Sequence, residues 1–101
     1  MKHLHILSEA ADDLEKARDF YESQEEGAGN YFVESAFSEL NELMETAGMH
    51  PLFFGYHRKL FKKFPFAIYY RTNTDFIDIY AILDLRSRPG FLDDVLEERV
   101  K

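Results

Sequence analysis

Arg58-Lys59-Leu60-Phe61-Lys62-Lys63 places four cations within six residues. Fixed cations suit phosphate, because an ammonium or guanidinium makes charge-assisted hydrogen bonds to phosphate oxygens and arginine can grip two of them at once. An edge strand guarded by lysines against aggregation accounts for the same run. Asp84 and Arg86 read either as a general base beside a charge stabiliser or as an ion pair at a strand end. His3 and His5 point two imidazoles to one face of a strand. A metal site needs a third ligand, and none stands at a recognisable spacing, so neither a metal nor another cofactor is expected. The Tyr69-Tyr70 pair reads as packing rather than base stacking. With no cysteine, thiolate metal sites, disulfides and cysteine nucleophiles are excluded.

Charge is unevenly shared. The net charge is −7, which opposes indiscriminate binding to nucleic acid. Met1 to His50 carries 3 basic and 12 acidic residues, and Pro51 to Arg88 carries 7 basic and 3 acidic. The second stretch is therefore the place for any phosphate-facing surface, although ordinary surface lysines beside a solvated acidic helix explain the same numbers. At 101 residues, with ten Phe and six Tyr, the chain has enough apolar bulk for one core, and one domain over residues 1–101 is expected. No basic flank precedes an apolar run at the N-terminus, and no stretch approaches the roughly 20 apolar residues of a membrane span, so a cytoplasmic location is expected.

The elements that must position these groups follow from the pattern. Lys2 to Leu7 alternate as a short edge or near-edge strand. Ser8 offers a capping hydroxyl, Glu9, Asp12 and Asp13 suit a helix N-terminus, and Ala10, Leu14, Ala17 and Tyr21 recur at helical spacing to about Gln24. Gly27-Ala28-Gly29-Asn30 breaks the chain. A second helix then carries Val33, Ala36, Phe37, Leu40, Leu43, Met44 and Ala47 on one stripe and stops at Gly48. So short a break makes the helices an antiparallel hairpin. Glu22, Glu25 and Glu26 form the solvated end of the first helix. Strands are expected over Tyr56 to Phe64, Phe66 to Arg71 and Phe76 to Asp84, and a short acidic helix carries Phe91, Leu92, Val95 and Leu96. The expected fold is α+β, with the hairpin packed through Leu14, Ala17, Val33, Phe37, Leu40 and Met44 on a mainly antiparallel sheet.

Parity then assigns faces. Ile77, Ile79, Ala81 and Leu83 point toward the helices, and Asp78, Tyr80, Ile82, Asp84 and Arg86 alternate to the open face. Arg58 and Lys62 share one parity on their own strand. If that parity is outward, Arg86, Arg58 and Lys62 converge where a phosphate could be held.

Three strings resemble the RelE/ParE toxin superfamily: Ala11-Asp12-Asp13-Leu14-Glu15-Lys16-Ala17-Arg18-Asp19-Phe20-Tyr21, Phe64-Pro65-Phe66-Ala67-Ile68-Tyr69-Tyr70-Arg71, and Ile79-Tyr80-Ala81-Ile82-Leu83-Asp84-Leu85-Arg86-Ser87-Arg88-Pro89. Together they span most of the chain in the family's order. The resemblance implies the toxin of a bacterial type II toxin–antitoxin (plasmid stabilisation) system, inhibiting growth through DNA gyrase or through ribosome-bound mRNA. It implies a cognate antitoxin as partner and no small-molecule substrate. In the endonuclease branch basic side chains on the open sheet face hold RNA; by strand position Arg58 and Arg86 match two of them, and Lys62 joins them by parity. The match is incomplete, since Ala67 stands where an arginine is expected, Leu92 where a tyrosine is, and Asp84 where a histidine is. Losing a cation at a developing charge costs about two or three decades of rate, so at most weak mRNA cleavage is expected. The alternative is a non-toxic relic or regulatory binding protein of the same fold.

Overall fold

In a computed structural model that describes residues 2–99, the chain forms β1 (His3–Ile6), α1 (Ser8–Gln24), α2 (Ala28–Thr46), β2 (Leu52–Phe53), β3 (Tyr56–Leu60), β4 (Phe66–Thr72), β5 (Phe76–Asp84) and α3 (Phe91–Arg99). The five strands make one sheet in the order β1-β5-β4-β3-β2. β1 runs parallel to β5, and every other neighbour is antiparallel. This is the expected α+β architecture with a hairpin of helices on a mainly antiparallel sheet.

The helices lie on one face of the sheet. Ala10 and Ala17 of α1 are buried, so the backbone of that helix approaches the sheet closely. From α2 the buried stripe is Phe32, Ala36, Leu40 and Leu43, packed with Phe61, Phe66, Ile68, Tyr70, Ile77, Ile79 and Ile82. Leu14, Met44 and Ala47 pack at its margin. The stripe is turned relative to expectation: Phe32 is fully buried, Val33 half-buried and Phe37 exposed at 47%. Phe32 stacks on Tyr21 and Phe61 and meets Phe64 and Phe66 edge-on, an aromatic nest that sets the rotation of α2.

The break between the helices is shorter than the glycines suggest. Only Gly27 is left-handed (φ 90°), and Gly29 and Asn30 already belong to α2. Gly29 is required by proximity, since a Cβ there would stand 2.9 Å from the Arg18 carbonyl oxygen. Glu22 is not merely solvated: its carboxylate accepts the N–H groups of Gly27 (3.0 Å) and Gly29 (2.9 Å) and so caps α2 from the preceding helix. Ser8 does not cap α1; Leu7 occupies that position without a side-chain bond.

Two corrections concern the sheet. The strand expected over Tyr56 to Phe64 ends at Leu60, and Leu52–Phe53 adds a short fifth strand. β5 also changes register against β4, where Tyr69 faces Ala81 but Tyr70 faces Ile79. Tyr80 is the extra residue of this bulge. Beyond it the faces exchange, so Ile82 joins the helix-side core while Ala81 and Leu83 pack on the opposite side. That opposite side is not open. α3 lies on it, and Leu96, Leu92 and Val95 pack with Tyr56, Ala67, Tyr69, Tyr80, Ala81 and Leu83. The Tyr56 hydroxyl donates to the Leu96 carbonyl at 3.1 Å.

Candidate functional site

The structure separates the three cations expected to converge. Arg58 is on the α3 side of the sheet, with its guanidinium 4.7 Å from the centre of the Phe53 ring. Lys62 lies on the α2 side, where its ammonium pairs with Glu42 and its backbone N–H donates to Glu39 Oε2 at 2.8 Å. Arg86 is also on the helix side. Its guanidinium bonds both Asp84 oxygens (3.1 and 2.9 Å) and reaches the Tyr21 hydroxyl at 3.4 Å. The physical reason is the Tyr80 bulge: it reverses the parity by which Arg86 was placed on the open face, and β3 ends before Lys62.

Electrostatics follow these pairings. Burial pushes the Asp84 carboxyl up, but the Arg86 side chain and backbone N–H outweigh it and hold the group below its ordinary value. The Asp84 hydrogen bond in turn raises the Arg86 guanidinium. Asp84 is thus an ionised partner of Arg86, which makes it a poor proton acceptor. The hydrogen bond that the Lys62 ammonium donates to Glu42 likewise raises the Lys62 pKa.

Arg71 was not singled out by the sequence, yet it is the better-seated arginine on the α3 side. Its guanidinium lies 4.5 Å from the Tyr56 ring centre and 5.5 Å from that of Tyr80, and its Nε donates to the Gly55 carbonyl at 3.2 Å. Cross-strand register was the missing signal, because Arg71 is the register partner of Asp78, and Asp78 of His5. His5 Nδ1 stands 3.1 Å from Asp78 Oδ1. No group of three or more His, Cys, Asp or Glu side chains comes together to hold a metal among the described residues. Beside Arg58, the Tyr69 hydroxyl is buried without a hydrogen-bond partner among the described residues; burial pushes its pKa up while Arg58 pulls it down.

An apolar concavity lies elsewhere. β1 leaves the sheet after the Ile6–Ile79 pair, while β5 continues to Asp84. The edge of β5 beyond Ile79 is therefore bordered by helices rather than by a strand. Here the Ile82 N–H donates to Asp13 Oδ2 (3.0 Å), the Tyr80 carbonyl accepts from Arg99 (3.1 Å), and Asp13 and Arg99 pair with each other. One ion pair from α1 and α3 thus satisfies the backbone groups that a neighbouring strand would have taken. Next to it opens a groove of about 430 Å³ between α1 and α3, with Ala17, Phe20, Phe66, Ile82, Phe91 and Val95 among its walls. Phe20 is 51% exposed. Phe20 thus sets an exposed aromatic ring at the rim of an apolar concavity, where a partner could cover both.

No helix among the described residues is long and apolar enough to cross a membrane. No protein-family model and no curated protein matches the sequence. Among solved structures, a chain of the chromosomal ParDE TA system from P. aeruginosa is similar, with a TM-score of 0.72 at 20% identity over 85% of this chain and 98% of that one. At such identity the likeness is one of fold, and it agrees with the architecture implied by the RelE/ParE resemblance.

Proposed function

We propose that the chain is the toxin of a bacterial type II toxin–antitoxin (plasmid stabilisation) system, held inactive in the cytoplasm by a cognate antitoxin and acting on DNA gyrase or on translation. The observation that carries this reading is the apolar groove beside the end of β5 that no neighbouring strand covers, on a fold shared with a chain of the ParDE system. A groove with Phe20 at its rim suits an apolar segment of a partner, extended along the β5 edge or helical between α1 and α3. The flanking α1 carries Glu9, Asp12, Asp13, Glu15, Asp19 and Glu22 against Lys16 and Arg18. The antitoxin segment is therefore basic where it meets α1, and added salt slows association more than it hastens dissociation.

The dispersal of Arg58, Lys62 and Arg86 favours action by contact over phosphodiester chemistry, because Arg58 lies on the opposite face from the other two, and Lys62 and Arg86 are each engaged by a carboxylate, Glu42 and Asp84. The same dispersal favours the second reading, a non-toxic binding protein of this fold. Both readings share the groove. Phe20→Asp introduces a carboxylate into it at an exposed position, so folding is expected to be unchanged while affinity for a cognate antitoxin, sought in an adjacent gene, falls by about 100-fold. Binding is measured by titration calorimetry on the purified pair, and an affinity within about threefold of the parent's would remove the groove from the account.

A further inference from the structure

The segment 47–55 between α2 and β3 crosses from one face of the sheet to the other, and it is tied down on both. On the helix side, the buried Tyr70 hydroxyl accepts the Gly48 N–H at 2.9 Å and lies 2.5 Å from His50 Nδ1. His57 stacks on Tyr70 with ring centres 5.1 Å apart, and its Nδ1 donates to the His50 carbonyl at 2.8 Å. On the α3 side the same segment supports both arginines: Phe53 lies under Arg58, and the Gly55 carbonyl holds Arg71 Nε. The Arg58 N–H also donates to the Pro51 carbonyl at 2.9 Å.

We infer that this segment is an acid-released strap: protonation of His50 breaks its anchor on Tyr70 and unseats Arg58 and Arg71 on the opposite face. The hydrogen-bond inventory carries the argument. The Tyr70 oxygen takes backbone hydrogen bonds from both Gly48 and His50, which occupy its two lone pairs, so the hydroxyl proton is the one that points at His50 Nδ1, and Nδ1 must arrive without a proton. An imidazolium there sets two hydrogens against each other. The groups facing His50 add to the conflict, since from β4 it meets the Tyr70 hydroxyl and from β3 it meets His57 and Lys59, the latter paired with Glu39. Burial first, then Lys59 and His57, hold the His50 pKa below its ordinary value. The sign follows. A histidine with a depressed folded pKa binds fewer protons folded than released, so the strap is held at neutral pH and loses stability as the pH falls below the ordinary imidazole value.

The inference holds whatever the chain binds, and it is tested on the full chain by amide hydrogen exchange, corrected for intrinsic rate, at about pH 7.5 and about pH 5. The Gly48 and Arg58 amides are expected to lose about tenfold in protection at the lower pH while Ile68 in the central sheet keeps its own. In His50→Asn, whose amide oxygen can still accept from Tyr70 but does not titrate, the protection is expected to be the same at both values. Unchanged protection in the parent, an equal loss in His50→Asn, or a parallel loss at Ile68 overturns the strap. Should the variant hold the strap poorly at both values, the His50 ring titration in the parent decides, since a midpoint at or above the ordinary imidazole value contradicts the inference.

Discussion

Glu39→Ala is expected to destabilise the fold by about 3–5 kcal/mol, read from urea midpoints at constant m. Glu39 is 3% exposed on α2 and pairs with the equally enclosed Lys59 ammonium on β3, while its second oxygen takes the Lys62 N–H. Removing the carboxylate strands a charge whose side chain is only 8% exposed. Glu42, 3.7 Å from the same ammonium and half-exposed, offers only partial relief. The companion result separates breaking a pair from replacing it. Glu39→Leu combined with Lys59→Met fills the same space without charge and is expected to come within about 1 kcal/mol of the parent or to exceed it. A single variant costing under about 1 kcal/mol would show that water reaches Lys59.

Arg99→Ala is expected to cost about 2–4 kcal/mol and to free α3 from the sheet. The change removes the partner of Asp13, whose side chain is 9% exposed, and leaves the Tyr80 carbonyl of the bulge without its donor. Among the described residues Asp13 then keeps only the Ile82 N–H. Because α3 meets the sheet through Leu96, Leu92 and Val95, loosening it uncovers Tyr56, Tyr69 and Leu83. Hydrogen exchange along Phe91–Arg99 should therefore accelerate more than exchange in α2. Equal protection of both helices would mean that the apolar contacts alone hold α3 in place.

These two residues also mark where the sequence stops being legible. The order of elements can be read because each carries a local signal: period two at His3–Ile6, helical spacing from Ala10 to Tyr21, the Gly48 stop with its left-handed φ of 92°, and the Pro65 punctuation before β4. The Tyr80 bulge has no such signal. Ile82 and Leu83 are both apolar, so either parity buries one of them, and the choice is made by Asp13 and Arg99, 86 positions apart in the chain. Everything that parity decided beyond Tyr80 was reversed with it, the position of Arg86 included. The two aromatic stripes of α2 were similarly degenerate, and the nest around Phe32 chose between them. The groove was invisible for another reason, since it is made by β1 ending early beside a longer β5, and strand lengths relative to one another are a property of the assembled sheet.

The proposed toxin would harm a bacterial cell unless a partner covered it, and growth under induced expression tests this most directly. Expression of the chain alone is predicted to arrest growth, and co-expression with the protein encoded by the neighbouring gene is predicted to restore it. The Phe20→Asp chain should arrest growth with the partner present as well as without it. Unimpaired growth at matched protein levels without any partner would contradict the toxin reading and leave a binding protein of the same fold.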